Sequence, residues 1–238
     1  MEANSKQHVH AVFESIAPKY DLMNDLLSFR RHKAWRKFTM KKMNVQPGQT
    51  ALDICCGTCD WTIALAKASG TGAITGLDFS QNMLDIGMDK IKGEKLDNQI
   101  KLVQGNAMEL PFEDNSFDYV TIGFGLRNVP NYLQVLKEME RVVKPGGSVV
   151  CLELSKPGWQ PFKAVYYLYF EQILPLLGKL VAKRFQEYKW LPDSLKQFLD
   201  MKQLSELFRK AELKQVSAYP LFGGVAALHI GKKEKKQQ

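Results

Sequence analysis

Two carboxylates, Asp53 and Asp78, stand twenty-five residues apart, each at the end of a short apolar run, and a turn with a single glycine follows the first. An acid at the end of a second strand can accept hydrogen bonds from both hydroxyls of an adenosine ribose. Residues 51–61 (ALDICCGTCDW) with Asp78 therefore point to a nucleoside-type cofactor, and on the ribose contact alone NAD and S-adenosylmethionine fit equally. Glycine separates them. A dinucleotide fingerprint carries three glycines so that backbone amides can approach a pyrophosphate, whereas here Gly57 stands alone among Cys55, Cys56 and Cys59. A carboxylate from Asp53 at the mouth of the loop repels a diphosphate and favours a ligand bearing an ammonium and a sulfonium. No Gly-Lys-Ser/Thr occurs at such a turn, which excludes a Walker-type phosphate loop. The reading is S-adenosylmethionine. Further along, Asn106 and Ala107 offer a side-chain amide for the adenine edge and a backbone N–H, and a run ending at Gly123 is expected to line the donor methyl.

Cys56 and Cys59 have the C-x-x-C spacing of a zinc or redox pair. Zinc takes four ligands, and Cys151 is expected in mid-strand with no histidine beside it, so no metal is assigned. Three of the four cysteines crowd into one segment, unlike a disulfide framework, and residues 1–12 lack the apolar core of a signal peptide. Both features are read as a reducing, cytoplasmic compartment.

These groups need a scaffold, and the chain of 238 residues is long enough for one α/β domain. Candidate strands fall at 50–55, 73–78, 100–104, 117–123, 148–153, 214–219 and 226–231. Helical patterns lie between them at 61–68, 80–92, 132–143 and 201–211. Ser80 is an expected N-cap, and Lys144-Pro-Gly-Gly147 an expected helix stop and turn. The alternation predicts a Rossmann-like, seven-stranded, mostly parallel sheet with helices on both faces, and ligands at the carboxyl ends of the first strands. Two segments stand outside it within the single domain 1–238: a helical cap over 1–45 and an aromatic-rich insert over 157–191, read as helices that guide a substrate. The apolar run at 164–182 within the insert is broken by Glu171, Gln172, Pro175 and Lys179, which argues against a membrane span.

At this point longer runs can be matched. Residues 20–35 (YDLMNDLLSFRRHKAW), 124–129 (FGLRNV) and 141–155 (RVVKPGGSVVCLELS) resemble the signatures of the ubiquinone/menaquinone biosynthesis C-methyltransferase family, most of all its Gram-positive demethylmenaquinone branch. The resemblance covers nearly the whole chain. It implies a class I methyltransferase that methylates a ring carbon of a polyprenylated naphthoquinol. It also implies donor contacts from Thr58, Asp78, Asn106 and Ala107, with Phe79 beside Asp78. Where such proteins often carry serine at the end of the fourth strand, this chain has Gly123, and Cys59 takes a place often held by glycine or alanine. His32 and Glu153 fall within the signatures with no chemical role derivable from them.

A sulfonium methyl is already electrophilic, so the difficulty lies with the acceptor, a weak carbon nucleophile until its hydroxyl loses a proton. The site must stabilise a developing phenolate and hold carbon and methyl in line. Arg127 is the first candidate, then Tyr20 and Asn128, with Asp21 and Asn24 on the same N-terminal segment as Tyr20. The competing roles are a structural salt bridge for Arg127 and lid packing for Tyr20.

The net charge is +8. Part of it is the tail at 232–236, with four lysines and one glutamate, and part is a cluster of Arg30, Arg31, Lys33, Arg36, Lys37, Lys41 and Lys42. With Trp35, Phe38 and Met43 interleaved, residues 29–43 read as a basic helix with an apolar side. Three readings stand for it: contact with anionic membrane lipid at the inner face of the cell membrane, a surface for RNA, or, more blandly, a solvated face packed against the sheet. No nucleic-acid partner is expected, since Gly-Phe-Gly-Leu-Arg-Asn stands after the fourth strand where amino-methylating enzymes of nucleic acids carry Asp/Asn-Pro-Pro-Tyr/Phe. A homodimer is left open. Alternatives are a methyltransferase for a benzoquinol or another small molecule, and a regulator that binds the cofactor without catalysis.

Overall fold

The computed structural model describes Glu14, residues 17–157 and residues 194–235. The insert at 157–191 therefore lies outside the described residues, save for Pro157, as do residues 1–12. In chain order the elements are α1 (Tyr20–Leu27), α2 (Arg31–Met43), β1 (Ala51–Ile54), α3 (Asp60–Ser69), β2 (Ile74–Asp78), α4 (Gln81–Gly93) and β3 (Ile100–Gln104). They continue with β4 (Phe117–Gly123), α5 (Tyr132–Val142), β5 (Val143–Leu154), α6 (Met201–Lys210), β6 (Lys214–Leu221) and β7 (Ala226–Lys232).

The seven strands form one sheet in the order β3-β2-β1-β4-β5-β7-β6. The first five run parallel and β7 pairs antiparallel with both β5 and β6. Between β1 and β4 the strand order reverses, and in an open α/β sheet the crevice outside such a switch point is where ligands bind. The sheet separates two cores by the parity of its pleat. Ala51, Val150 and Leu152 pack with Trp35, Met43, Trp61 and Leu65 on one face. Leu52, Ile54, Val149 and Cys151 pack with Val135, Leu136, Met139 and Phe208 on the other.

Local chemistry explains most boundaries. Ser80 caps α4 by accepting from the Met83 amide at 3.2 Å, Asn131 caps α5 by accepting from Gln134, and Asp200 with Gln203 forms a capping box on α6. One expectation changes. The chain leaves α5 directly into β5 at Val143, and Lys144-Pro-Gly-Gly147 lies inside that strand as an irregular stretch with Gly146 at φ +82°, not as a separate turn.

The basic helix is corrected too. It begins at Arg31, because Phe29 and Arg30 sit in a left-handed turn (φ 48° and 60°). Its apolar side chains face inward: Trp35 and Met43 are buried in the core and Phe38 packs edge-on to Tyr219. Arg36 is tied to Asp60 at 2.8 Å. Trp35, Phe38 and Met43 thus serve packing, and the helix lies against the sheet.

Candidate functional site

A cavity of about 610 Å³ opens at the carboxyl ends of β1, β2, β3 and β4, within the 300–1,000 Å³ range of small-molecule sites. It is lined by nine of the residues that the sequence singles out: Tyr20, Gly57, Asp78, Phe79, Asn106, Ala107, Gly123, Arg127 and Asn128. Asp53 and Thr58 are not among the lining residues.

Asp78 ends β2 with a nearly buried carboxylate. One oxygen accepts from the Gly57 amide at 2.8 Å and the other from the Ser80 amide at 2.9 Å. Burial raises its pKa, opposed by these backbone hydrogen bonds. The Phe79 amide is a further backbone donor to this carboxylate, which still has acceptor capacity for a ribose hydroxyl. Gly57 adopts φ +53° in the turn above it, and the Tyr20 ring stands 3.8 Å from where a Cβ at Gly57 would be. The turn is tightened on both sides by non-glycine residues in the left-handed region, Cys55 (φ 53°) and Cys59 (φ 65°), each costing about 1–2 kcal/mol. Asn106 accepts from the Met108 amide at 3.0 Å. This side-chain turn fixes the loop and leaves the Asn106 amide N–H groups as donors. At Gly123 an added Cβ would fall 2.7 Å from the Trp61 ring. Trp61 therefore fills the space a serine would need, and it pins α2 by donating its indole N–H to Met40 Sδ at 3.1 Å.

Arg127 follows β4 on a single turn of 3-10 helix (Leu126–Asn128). Its Nη1 donates to Glu153 at 2.7 Å and to the Phe124 carbonyl, while its own amide donates to the other Glu153 oxygen at 3.2 Å. Glu153, 1% exposed, also accepts from the Leu154 amide. Arg127 Nε is buried, with no hydrogen-bond partner among the described residues. This arrangement accounts for Glu153, which the sequence left without a role: it anchors the guanidinium from below. Tyr20 is hydrogen-bonded to Asn24, and burial raises its phenol pKa despite that bond and the nearby Arg127 charge. The phenol is thus a neutral donor at physiological pH.

The two residues outside the lining are explained by strand parity and by the cap. Asp53 is held between Thr62 of α3 and Thr121 of β4, whose hydroxyls donate to its two oxygens at 2.8 and 2.7 Å. Burial raises its pKa to about 6, against those hydroxyl bonds. The carboxylate is therefore beneath the loop and not at its mouth, and it reaches a ligand only through the field of its charge. Thr58 turns its hydroxyl outward, donating to Asp21 at 2.6 Å. Lys90 binds Asp21 at 2.9 Å and also contacts Asp60, which Arg36 holds from the other side. Burial opposes charge on Asp60, yet Arg36 and Lys90 hold its pKa at about 2. The result is a chain of polar contacts, Asp21–Thr58–Lys90–Asp60–Arg36, that fastens α1 and α2 to the donor loop and α4.

The four cysteines are thiols, with Cys56 and Cys59 sulfurs 3.9 Å apart. Burial lifts the Cys55 and Cys151 thiols well above their ordinary range. In Cys56 the hydrogen bond from Cys59 and burial do the same. Among the described residues no group of three or more His, Cys, Asp or Glu side chains is placed to hold a metal ion. The sequence reading missed Met83, Met108, Phe124 and Tyr132, which also line the cavity. Met83 was findable as the residue that Ser80 caps, whereas the others depend on how the loops after β3 and β4 fold over each other.

Comparison with known proteins places this geometry. Residues 1–233 match the model of the ubiE/COQ5 methyltransferase family. A demethylmenaquinone methyltransferase of Bacillus pumilus (strain SAFR-032) is 62% identical, over 98% of this chain and 100% of its own. One of Bacillus cereus (strain ATCC 10987 / NRS 248) is 57% identical over 100% of both chains. Among solved structures, a SAM-dependent methyltransferase from Thermotoga maritima superposes with a TM-score of 0.70 at 18% identity, covering 95% of this chain and 100% of that one. A SAM-dependent methyltransferase from Aquifex aeolicus gives 0.61 at 16% identity, over 82% and 88%. At such identities these two report the fold.

Proposed function

The chain belongs to the ubiE/COQ5 methyltransferase family, and from that premise we propose that it transfers a methyl group from S-adenosylmethionine to a ring carbon of demethylmenaquinol, giving menaquinol. The observation that carries this reading is the cavity itself, where a ribose-type carboxylate and an arginine anchored by Glu153 line one space. The residues present fit the donor. Asp78 takes the ribose hydroxyls, Asn106 and the Ala107 amide take the adenine edge, Phe79 borders the adenosine, and Gly57 lets the backbone approach the methionine portion. Asp53, from beneath the loop, and Thr58, through its backbone, shape that approach. Gly123 borders the transferred group with its backbone, and Trp61 occupies the space beside it. When bound, S-adenosylmethionine supplies an electrophilic methyl on its sulfonium.

The protein's part is to ready the acceptor. Arg127, which lines the cavity, offers its positive charge to the acceptor oxygen and stabilises the negative charge that develops on it, with Glu153 holding the guanidinium still so that no reorganisation is needed. Tyr20, kept protonated by burial, donates a second hydrogen bond from the cap, and Asn128 orients the ring beside Arg127. Among the described lining residues Asp78 is the sole carboxylate and no histidine is present. No side-chain base is therefore assigned: the hydroxyl proton leaves to water, and the ring carbon takes the methyl as S-adenosylhomocysteine departs. The hydrogen on that carbon is then lost as a proton while the oxygen is reprotonated, which restores the quinol. The acceptor is a lipid, so the enzyme works from the cytoplasm against the membrane surface. Among the described residues no helix is long and apolar enough to cross a membrane.

The test is transfer of labelled methyl to demethylmenaquinol, compared with demethoxy-benzoquinol analogues. Incorporation into the naphthoquinol at the higher rate is expected. Donor binding without turnover on either ring would replace this reading with that of a regulator.

A further inference from the structure

Among the described residues three large apolar side chains are mostly exposed: Leu22 (59%), Phe29 (69%) and Phe222 (53%). Two of them sit at loop tips whose backbones are held in the left-handed region. Phe29 has φ 48° and is followed by Arg30 at 60°. Phe222 has φ 46° and is followed by Gly223 and Gly224 at 67° and 92°. A left-handed backbone is uncommon for phenylalanine, and at both tips more than half of the residue is exposed. The tips belong to elements far apart in sequence, the turn between α1 and α2 and the turn between β6 and β7, yet they meet: the Arg31 guanidinium lies 4.7 Å over the Phe222 ring. Around them are exposed cations. Arg30 and Lys33 flank Phe29, sharing Asp25 as their acid, and Lys37, Lys41 and Lys42 continue along α2. Lys42 stacks on Tyr219 of β6.

From this juxtaposition we propose that Phe29 and Phe222 are the insertion tips of a docking surface for anionic lipid bilayers, with the basic residues of the α1–α2 turn and of α2 reading the lipid charge. Aromatic side chains placed at the headgroup boundary, with basic residues around them, are the composition that binds such a surface. The charge complement decides the occupant: the patch is cationic, so a bilayer rich in anionic lipid fits, and a second copy of the same patch would repel it. The proposal rests on the reading that the acceptor is a membrane lipid. It relocates the contact from the inward face of α2 to the two tips.

The experiment is sedimentation of the full chain with vesicles of phosphatidylcholine alone and with vesicles that also contain phosphatidylglycerol. The native protein should pellet with the anionic vesicles and be released as salt is raised. Phe29→Ser combined with Phe222→Ser should lower the bound fraction by about tenfold or more, with an unchanged thermal melt. Phe29→Trp, which keeps the bulk, should still pellet and should show a vesicle-dependent blue shift beyond that of the native tryptophans. The proposal is overturned if the native protein ignores anionic vesicles, if the double serine variant pellets as the native chain does, or if the new tryptophan shows no shift. A dimer in solution that the double variant abolishes, with no vesicle binding, would hand the surface to a second copy instead. Methylation of a short-chain, water-soluble demethylnaphthoquinol separates the two readings. Its loss in the native protein defeats the proposed function and leaves the vesicle result standing, while its retention in the double variant locates the defect at the membrane.

Discussion

On the sheet side of the cavity the groups are buried or held by backbone amides: Asp78 accepts from Gly57 and Ser80, Asn106 from Met108, and Arg127 is clamped by the buried Glu153 at the end of the neighbouring strand. The cap over the cavity is held otherwise. α1 and α2 reach the donor loop and α4 through pairs of polar side chains, Asp21 with Thr58 and Lys90, and Arg36 with Asp60. Several of these groups are a quarter to a half exposed. The comparison teaches that the donor wall is preformed with the sheet, whereas the cap is fastened by bonds that water and salt can compete for. Closing over a bound donor and releasing it afterwards ask for that difference.

Four changes test it, the largest first. Glu153→Ala strands a buried guanidinium on the wall side, and should cost about 3–5 kcal/mol of stability. That corresponds to a fall in Tm of roughly 10 °C, read by calorimetry, with Glu153→Gln milder in the melt and still slower in turnover. Asp78→Ala should weaken donor binding by about 100-fold or more, through loss of hydrogen bonds to a charged acceptor, measured by titration with S-adenosylhomocysteine. A loss of only a few-fold would mean that the wall does not carry the ribose.

Asp53 gives a pH signature for the wall. Its carboxyl is raised from 3.8 to about 6 on folding. The folded state therefore holds the proton more tightly, and stability from this group is full below about pH 4 and declines as pH rises to about 6. The decline is about 2–3 kcal/mol. Asp53→Asn should remove that slope from urea melts taken across the window, and an identical slope in both proteins would show that the threonine hydroxyls already neutralise the burial cost. The smallest effect belongs to the cap: Lys90→Met unfastens Asp21 and Asp60 together, for about 1 kcal/mol after screening, and should raise the donor dissociation constant about fivefold. If it weakened binding as much as Asp78→Ala, the cap would have to be counted part of the wall.

Much of the frame could be read along the chain. The strand at Ile100–Gln104, the cap at Ser80 and the acid at the end of β2 are set by residues within one turn of each other, so their patterns survive any tertiary arrangement. The places where the reading failed are of another kind. Asp53 lies in the strand where it was expected, but the side it faces depends on pleat parity relative to α3, and the hydroxyls it meets are nine and sixty-eight residues away. Thr58 lies in the expected loop, but its hydroxyl is claimed by Asp21, thirty-seven residues earlier. The basic run of α2 left lipid contact and packing against the sheet both open, and the structure turns Trp35, Phe38 and Met43 inward and leaves Phe29 exposed.

What the sequence determined by itself is the alternation of strand and helix, the turn chemistry around Gly57 and the ribose acid Asp78, because apolar period, capping and backbone conformation are local properties. What the tertiary structure decided is which charge meets which. Arg36 went to Asp60, Arg127 to Glu153 and Lys90 to Asp21 and Asp60. A side-chain charge can be satisfied by any opposite charge within a few ångströms, and only the packing of the sheet against its helices brings one of the many candidates that close.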